Sequence, residues 1–194
     1  MDRQLGQLLK EIGDCRHCAA NLPLGPRPVL QAHEDARILI VGQAPGKKVH
    51  ETGTPFNDLS GNRLREWMGI DRDIFYDEKQ IALLPMGFCY PGTGKSGDLP
   101  PRPECATLWR EALLTRLPHI ELTLVIGQYA HQYHFADKQR KNLTETVKAW
   151  QSFWPSRIPL PHPSPRNNRW LHNNPWFEKT LIPSLQRQIQ VILR

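Results

Sequence analysis

The sequence predicts an α/β protein with three layers, in which helices cover both faces of a four-stranded parallel sheet. Short apolar runs that suit buried strands alternate along the chain with helical patterns, and this order is typical of parallel sheets. The chain has 194 residues, which suffices for one well-buried domain and is short for two. We therefore treat residues 1–194 as a single domain.

The first elements are a helix, a loop and a buried strand. Residues 2–13 place apolar side chains on one helical face, and Gly13 ends that helix. Residues 19–36 are rich in proline and glycine, which predicts a loop. Arg37–Val41 is a run of branched apolar residues closed by Gly42, as expected of a central parallel strand.

Further elements follow in the same alternation. We expect 47–59 to form a polar loop and Ser60 to cap a helix that buries Leu64, Trp67 and Met68. The remaining predicted elements are a strand over 81–84, a long loop over 85–103, a helix from Pro103 to about Leu117, a strand over 122–126, short helices starting near Gln128 and Thr144, a strand over 157–160, and a C-terminal helix starting at Asn174.

Three of the loops follow strands and should therefore meet. Parallel strands end at one edge of a sheet, where the functional crevice of such folds lies. The three loops begin with Gly42, Pro85 and His162. Prolines stiffen the last of them, His162-Pro163-Ser164-Pro165-Arg166-Asn167, so it can hold a polar side chain in a fixed place.

Bulk composition bounds the class of protein. The net charge is +6 and the pI is near 9.3, which fits a nucleic-acid partner. No apolar run reaches the length of a membrane span, and the N-terminus lacks the apolar segment of a signal peptide. We expect a monomeric cytoplasmic protein with no membrane association.

The four cysteines indicate a metal centre. Cys15 and Cys18 are two residues apart, whereas Cys89 and Cys105 flank the long Pro-rich loop. In a reducing compartment four cysteines point to a metal or cluster sooner than to disulfides. Four thiolates suit a zinc ion or a [4Fe–4S] cluster, and unconnected buried cysteines are the simpler alternative.

Several of these motifs resemble those of one family. Gly42–Gly46 followed by Gly53-Thr54-Pro55-Phe56 is similar to the first motif of the uracil-DNA glycosylase superfamily, and His162-Pro163-Ser164 matches the second. The cysteines fall where family 4, the iron–sulfur type, places its cluster ligands. The continuation Pro165-Arg166-Asn167 looks more like the single-strand-selective monofunctional type. The resemblance covers most of the chain.

The resemblance implies a monofunctional DNA glycosylase that flips a base out of the stack and hydrolyses its N-glycosidic bond. In that role His162 donates a hydrogen bond to the oxyanion that develops on the leaving base, and Gln43 holds the attacking water. Phe56 stacks on the flipped base. The rest of the base site is formed by Ala44, Met86 and Gly87.

The resemblance also implies a cofactor and a set of DNA contacts. The cofactor is a [4Fe–4S] cluster on Cys15, Cys18, Cys89 and Cys105, with structural zinc as the alternative. Arg166 lies where relatives place a residue that wedges into the duplex, and its charge also suits phosphate. The other DNA contacts, to single- or double-stranded substrate, are Ser164, Asn167 and Lys47.

Two positions depart from the family 4 pattern. The second residue of the first motif is usually acidic, and here it is Gln43. The place of the uracil-reading asparagine holds Pro85, which has neither a side-chain donor nor an acceptor. If a side-chain base is needed, the candidates nearby in sequence are His50, Glu51 and Asp58.

Two other interpretations remain open. Gln43 and Pro85 favour a non-catalytic or divergent DNA-binding member of the fold, acting on another modified base. The glycine-rich loop after the first strand is also compatible with nucleotide binding. That loop, however, contains Pro45 and lacks both the Gly-x-Gly-x-x-Gly and the P-loop patterns.

Overall fold

The computed structural model of the protein describes residues 2–95, 97–138 and 140–194. Its strands are β1 (Ile38–Val41), β2 (Ile81–Leu83), β3 (Thr93–Gly94), β4 (Gly97–Asp98), β5 (Leu122–Ile126) and β6 (Arg157–Leu160). Four of them form one parallel sheet in the order β2-β1-β5-β6, and β3 and β4 pair as a small antiparallel hairpin.

The α-helices are α1 (Arg3–Gly13), α2 (Lys47–Thr52), α3 (Leu59–Met68), α4 (Arg72–Tyr76), α5 (Glu111–Leu114), α6 (Gly127–Phe135), α7 (Leu143–Lys148), α8 (Asn168–Asn173) and α9 (Ile182–Ile192). A π-helical segment, Ala106–Arg110, leads directly into α5, and another, Phe177–Leu181, leads directly into α9. Within the described part of the chain, every helix is too short or too polar to cross a membrane.

The sheet separates two apolar cores, as a three-layer sandwich requires. Successive side chains of a strand point to opposite faces. In β1, Ile38 and Ile40 join the core formed with α3 and α9, whereas Leu39 and Val41 join the core formed with α1, α5 and α6. All four side chains are buried. The predicted fold class is therefore confirmed.

Some local predictions were wrong, and each has a physical reason. The predicted loop 47–59 contains α2, which begins after Gly46 and ends at Gly53, a glycine with φ of 70°. Six residues are too few to show helical periodicity. The cap of α3 is Asp58 rather than Ser60, because the Asp58 carboxylate accepts a hydrogen bond from the Gly61 N–H at 2.8 Å.

Three further elements lie in segments where no regular structure was expected. They are α4, α8 and the β3–β4 hairpin inside the predicted loop 85–103. The C-terminal helical region starts near its predicted place but opens with the π-helical segment before α9. These elements are short, so tertiary packing rather than sequence period determines them.

Strand order places a crevice beside β1. The chain passes from β1 to β2 on one side, and β5 then pairs with β1 on the other. Such a reversal leaves the loops at the carboxyl ends of β1 and β5 diverging, and ligands bind at this point in open parallel sheets. The loops after Val41 and Ile126 therefore frame the expected site.

Helix α3 offers a matched test of this packing. Leu64 is 0% exposed in the core under the sheet, and Leu59, on the same helix, is 68% exposed. Leu64→Ala should lower the free energy of unfolding by about 2–5 kcal/mol, because it leaves a cavity. Leu59→Ala should change it by less than about 0.5 kcal/mol. Urea denaturation measures both, and equal losses would contradict the assigned packing of α3.

Candidate functional site

A pocket of about 490 Å³ opens at the carboxyl edge of the sheet. The loops that begin with Gly42, Pro85 and His162 all contribute to its wall, so the three loops meet as predicted. Seven of the residues proposed from the sequence line it: Gln43, Ala44, Phe56, His162, Ser164, Arg166 and Asn167.

His162 is held as a neutral imidazole with a defined proton position. Its Nδ1 accepts a hydrogen bond from the Ser164 backbone N–H at 3.2 Å. Burial lowers the pKa of His162, and Arg166 lowers it further, against the opposing effect of Asp58. A neutral ring whose Nδ1 is an acceptor carries its hydrogen on Nε2. The pocket therefore contains an uncharged Nε2–H donor.

The loop around His162 is braced by its own side chains. Asn167 donates from Nδ2 to the His162 carbonyl at 2.7 Å, and the Ser164 hydroxyl accepts from the Arg166 backbone N–H at 3.2 Å. Arg63 on α3 donates to the Ser164 carbonyl at 3.2 Å. These bonds, together with the prolines, fix the imidazole relative to the sheet.

Phe56 is held in the pocket wall by close contacts with two glycines. Its φ is 53°, in the left-handed region that bulky residues rarely adopt. A Cβ at Gly61 would lie 1.7 Å from the Phe56 carbonyl oxygen, so only glycine permits this approach. A Cβ at Gly42 would lie 3.2 Å from the ring, which places the Phe56 ring against the first loop. The ring also meets Phe75 edge-on at 6.0 Å.

The β3–β4 hairpin closes another side of the pocket. Gln43 donates from Nε2 to the Leu99 carbonyl at 3.3 Å, which joins the first loop to the end of the hairpin. Arg166 lies against Gly97, where a Cβ would come within 1.9 Å of the guanidinium. Asp98 lines the same wall. Burial raises the pKa of its carboxyl, Arg166 opposes the rise, and Asp58 adds to it.

Three of the proposed site residues lie elsewhere. Met86 and Gly87 do not line the pocket: their backbone N–H groups donate to the Gly42 and Gln43 carbonyls at 2.9 and 3.0 Å. They brace the first loop from behind. Lys47, the first residue of α2, is exposed and outside the pocket.

The three candidate bases also differ in whether they line the pocket. Asp58 lines the pocket, whereas Glu51 is exposed on α2 and does not. His50 is buried beside Tyr90, with ring centroids 6.1 Å apart. Asp58 is therefore the one of the three that reaches the pocket.

Sequence reasoning missed several residues in the wall. Gln128 and Tyr129 directly follow β5, so the rule that sites lie at strand carboxyl ends could have found them. Asp98 gave no such signal, because its position depends on a two-residue hairpin inside a long loop. The remaining missed residues are Val29, Val49, Pro55, Ser60 and Gly97.

A second cavity is lined by all four cysteines. Its other walls are largely apolar and come from α1, the proline-rich loop and the helical segment after Pro103. Burial, and then the nearby Cys105, Cys15 and Cys18, raise the pKa of the Cys89 thiol to about 11. Burial also raises the pKa of Cys18 and of Cys105. Two cysteine pairs distant in sequence thus share one site.

The cysteine cavity can be tested for fit to a metal centre. Among the described residues, no three His, Cys, Asp or Glu side chains are grouped closely enough to hold one ion. A four-iron cluster binds each thiolate through a different iron, so its ligands stand farther apart than those of zinc. Hydrogen bonds from the Arg27 and Phe88 backbone reach Cys89 and Cys105, and the Arg102 side chain reaches Cys18.

Arg110 is a buried cation that binds the segment entering the pocket wall. It is 1% exposed and lies on the π-helical segment that begins after Cys105. Its Nη2 donates to the Leu84 carbonyl at 3.1 Å and to the Pro85 carbonyl. Burial lowers the pKa of Arg110 to about 10, which still leaves it charged at neutral pH. A buried cation thus holds the chain segment that enters the pocket wall at Pro85.

Two comparisons relate the chain to known proteins. The sequence model of the uracil DNA glycosylase superfamily matches residues 30–186. The match includes the pocket loops, Cys89 and Cys105, and begins after Cys15 and Cys18. Among solved structures, the chain is similar to a solution NMR structure of a provisionally assigned uracil DNA glycosylase from Methanosarcina acetivorans. The identity is 18%, the alignment covers 83% of this chain and 98% of that chain, and the TM-score is 0.45.

The contact between Phe56 and Gly61 can be tested by adding one methyl group. Gly61→Ala should lower the free energy of unfolding by about 3 kcal/mol or more, because the new Cβ collides with the Phe56 carbonyl. Gly13→Ala is the matched control, since a Cβ there meets no atom within 4 Å. That control should stay within about 1 kcal/mol of the wild type in thermal denaturation. An equally stable Gly61→Ala protein would contradict the position of Phe56.

Proposed function

Because the chain belongs to the uracil DNA glycosylase superfamily, we propose that it is a monofunctional DNA glycosylase. Its substrate is uracil or a related damaged base in DNA, and its reaction is hydrolysis of the N-glycosidic bond. The observation that carries this proposal is the neutral His162, which carries its hydrogen on Nε2 and lines a pocket at the carboxyl edge of the sheet.

The chemistry calls for an uncharged donor of this kind. As the N-glycosidic bond breaks, its electron pair moves to the base and negative charge grows on a base oxygen. A hydrogen bond from His162 Nε2 stabilises that charge more in the transition state than in the ground state, which lowers the barrier. The bracing of the ring by Ser164 and Asn167 means that little reorganisation is needed during the reaction.

The pocket also suits one unstacked base. A base extruded from DNA loses its stacking partners, and an aromatic face replaces part of that energy. Phe56 supplies such a face, and its strained backbone is the kind of local cost that functional sites carry. The Ala44 backbone lies beside it in the wall.

The identity of the base depends on an unusual wall. Pro85 lines the pocket where a reading side chain is expected, and Arg110 binds its carbonyl. Polar readout of the base edge then falls to Ser60, Gln128 and Tyr129. These groups supply hydroxyl and amide partners that suit a base carrying carbonyl and imino groups. We therefore propose uracil or a related deaminated or oxidised base as the substrate.

The DNA backbone is held around the pocket mouth by cationic and polar groups. Ser164, Arg166 and Asn167 line the pocket, and Lys47 is exposed on the first turn of α2, directly after the lining residue Gly46. Binding through such groups releases counterions, so affinity should fall steeply with salt. The net charge of +6 supports the same partner.

A [4Fe–4S] cluster on Cys15, Cys18, Cys89 and Cys105 is proposed as a structural cofactor. The cavity that all four thiols share supports this proposal, with structural zinc on the same cysteines as the alternative. When bound, the cluster would cross-link α1 to the segment that carries Pro85 and Arg110. It supplies no step of the hydrolysis, which this chain's pocket residues carry out.

The residues at two motif positions favour a second candidate function. The first loop carries Gln43, which cannot accept a proton, and the reading position carries Pro85. A protein that binds damaged DNA without cleaving it would tolerate both. Base release distinguishes the two functions.

The proposed reaction is tested by base release from synthetic DNA. Single- and double-stranded oligonucleotides carrying uracil, hypoxanthine, xanthine or an oxidised pyrimidine are incubated with the protein, and abasic sites are revealed by alkali. We expect cleavage at one or more lesions. His162→Ala should lower the single-turnover rate about 10²–10³-fold, because it removes the oxyanion donor.

The matched control for that experiment is His119→Ala. His119 is exposed and precedes β5, at the edge of the sheet opposite the pocket. The His119→Ala protein should release the base at the wild-type rate. Intact DNA binding without release from any lesion would contradict the glycosylase proposal and support the non-catalytic one.

The cofactor proposal predicts the metal content of protein purified without oxygen. Iron and acid-labile sulfide should be present in equal amounts, with broad visible absorption that bleaches on reduction. Cys89→Ser should lose most of the iron, since it removes one of the four proposed thiolate ligands, which line one cavity. Stoichiometric zinc without sulfide would instead identify the alternative cofactor, and a metal-free folded protein would contradict both.

A further inference from the structure

Two carboxylates face the pocket, and they are not equivalent. Among the described residues of its wall, Asp58 and Asp98 are the acidic ones. One carboxylate oxygen of Asp58 caps α3, because it accepts a hydrogen bond from the Gly61 N–H at 2.8 Å. It also lies close enough to His162 to influence that ring. Asp58 is therefore engaged at the imidazole side of the pocket.

Asp98 is presented to the first loop by the hairpin. Its Oδ2 lies 3.6 Å from the position that a Cβ on Gly46 would occupy, so the carboxylate packs against that loop. The Leu99 backbone N–H donates to the Gly92 carbonyl at 2.8 Å, and Gln43 Nε2 donates to the Leu99 carbonyl. The side chain of Gln43 is an amide, so it cannot act as a base. That amide instead holds in place the segment that carries the Asp98 carboxylate.

We propose that Asp98 is the group that accepts the proton of the attacking water in this glycosylase. The inference rests on the proposed function. It assigns the acid–base role to the hairpin instead of the first loop, with Gln43 as the positioning residue that fixes the Asp98–Leu99 segment. Asp98 stays accessible to solvent at the pocket mouth, so water can reach it before DNA covers the site.

The step balances without any further reactant. The bond between C1′ and the base nitrogen breaks, and its electron pair leaves with the base, whose oxygen is held by His162 Nε2–H. A water oxygen bonds to C1′, and one of its protons passes to the Asp98 carboxylate. The base then takes a proton from solvent, and Asp98 returns its proton to solvent. The products are an abasic sugar and a free base.

The electrostatic surroundings agree with this geometry. Partial burial raises the pKa of Asp98 above its ordinary value, Asp58 adds to the rise, and Arg166 opposes it. A carboxylate with a raised pKa is a better proton acceptor. The negative charge also stabilises the cation-like sugar in the transition state.

The test compares single-turnover base release by the wild type and by Asp98→Asn as a function of pH. The wild-type rate should fall as pH drops through the raised pKa of Asp98, because only the carboxylate accepts a proton. Asp98→Asn should be about 10²-fold slower at neutral pH and should lack that acid limb. Its affinity for DNA and its melting temperature should be unchanged, which excludes a merely structural effect.

Two further variants sharpen the assignment. Gln43→Glu in the Asp98→Asn background should restore at least a tenth of the wild-type rate, since it places a carboxylate on the adjoining loop. Glu51 is exposed on α2 and lies outside the pocket, so Glu51→Gln should match the wild type in both rate and pH profile.

The possible outcomes distinguish a failure of the proposed role of Asp98 from a failure of the proposed glycosylase function. A wild type that releases no base overturns both. A wild type that cleaves, with an Asp98→Asn protein of equal rate and equal pH profile, overturns only the role of Asp98. An acid limb that disappears in Asp58→Asn but survives in Asp98→Asn transfers the role to Asp58 and also overturns the proposal.

Discussion

The pocket depends on backbone hydrogen bonds that continue the pairing of β1 and β2 beyond the strands. Leu84 N–H donates to Ile40, Met86 N–H to Gly42 and Gly87 N–H to Gln43, all at 2.9–3.0 Å. The first loop is therefore an extension of the sheet rather than a free turn. The same segment runs on through Phe88 to Cys89, so one stretch of chain both supports the pocket and reaches the cysteine cavity.

That arrangement explains why buried charge is tolerated at Arg110. A cation without an acidic partner is costly inside a protein, and carbonyl groups at the end of β2 offset only part of the cost. In return, Arg110 fixes the Leu84–Pro85 peptides at the point where they enter the pocket wall. If the cysteines hold a cluster, the negative charge of its thiolates provides a further partner near Cys105.

The chemistry of the proposed site divides between two loops of different character. The His162 loop is made rigid by prolines and by hydrogen bonds, which suits a donor that must be in place before charge develops. The hairpin that carries Asp98 is held to the rest of the chain by hydrogen bonds of Leu99 with Gln43 and with Gly92. In the proposed reaction, the rigid loop supplies the donor to the base and the hairpin supplies the carboxylate that accepts a proton from water.

The sequence predicted the sheet, the edge at which its loops meet and most of the pocket wall. These follow from strong local signals: apolar runs such as Ile38–Val41, glycine and proline at strand ends, and the rule that parallel strands share a carboxyl edge. The sequence did not reveal that Met86 and Gly87 act through backbone groups behind the loop, because side-chain type says nothing about backbone pairing. Asp98 was missed because its place depends on contacts that form only in the fold, chiefly with Arg166 and Gly46.

The central claim is that this pocket receives an extrahelical base between Phe56 and His162. The most direct measurement is a crystal structure of the wild type with DNA that carries a non-cleavable 2′-fluoroarabino nucleotide of the lesion it processes. We predict that the lesion base lies in the pocket, with its ring on Phe56 and a carbonyl oxygen within hydrogen-bond distance of His162 Nε2. DNA bound at another face, or a lesion base still stacked in the helix, would contradict the account.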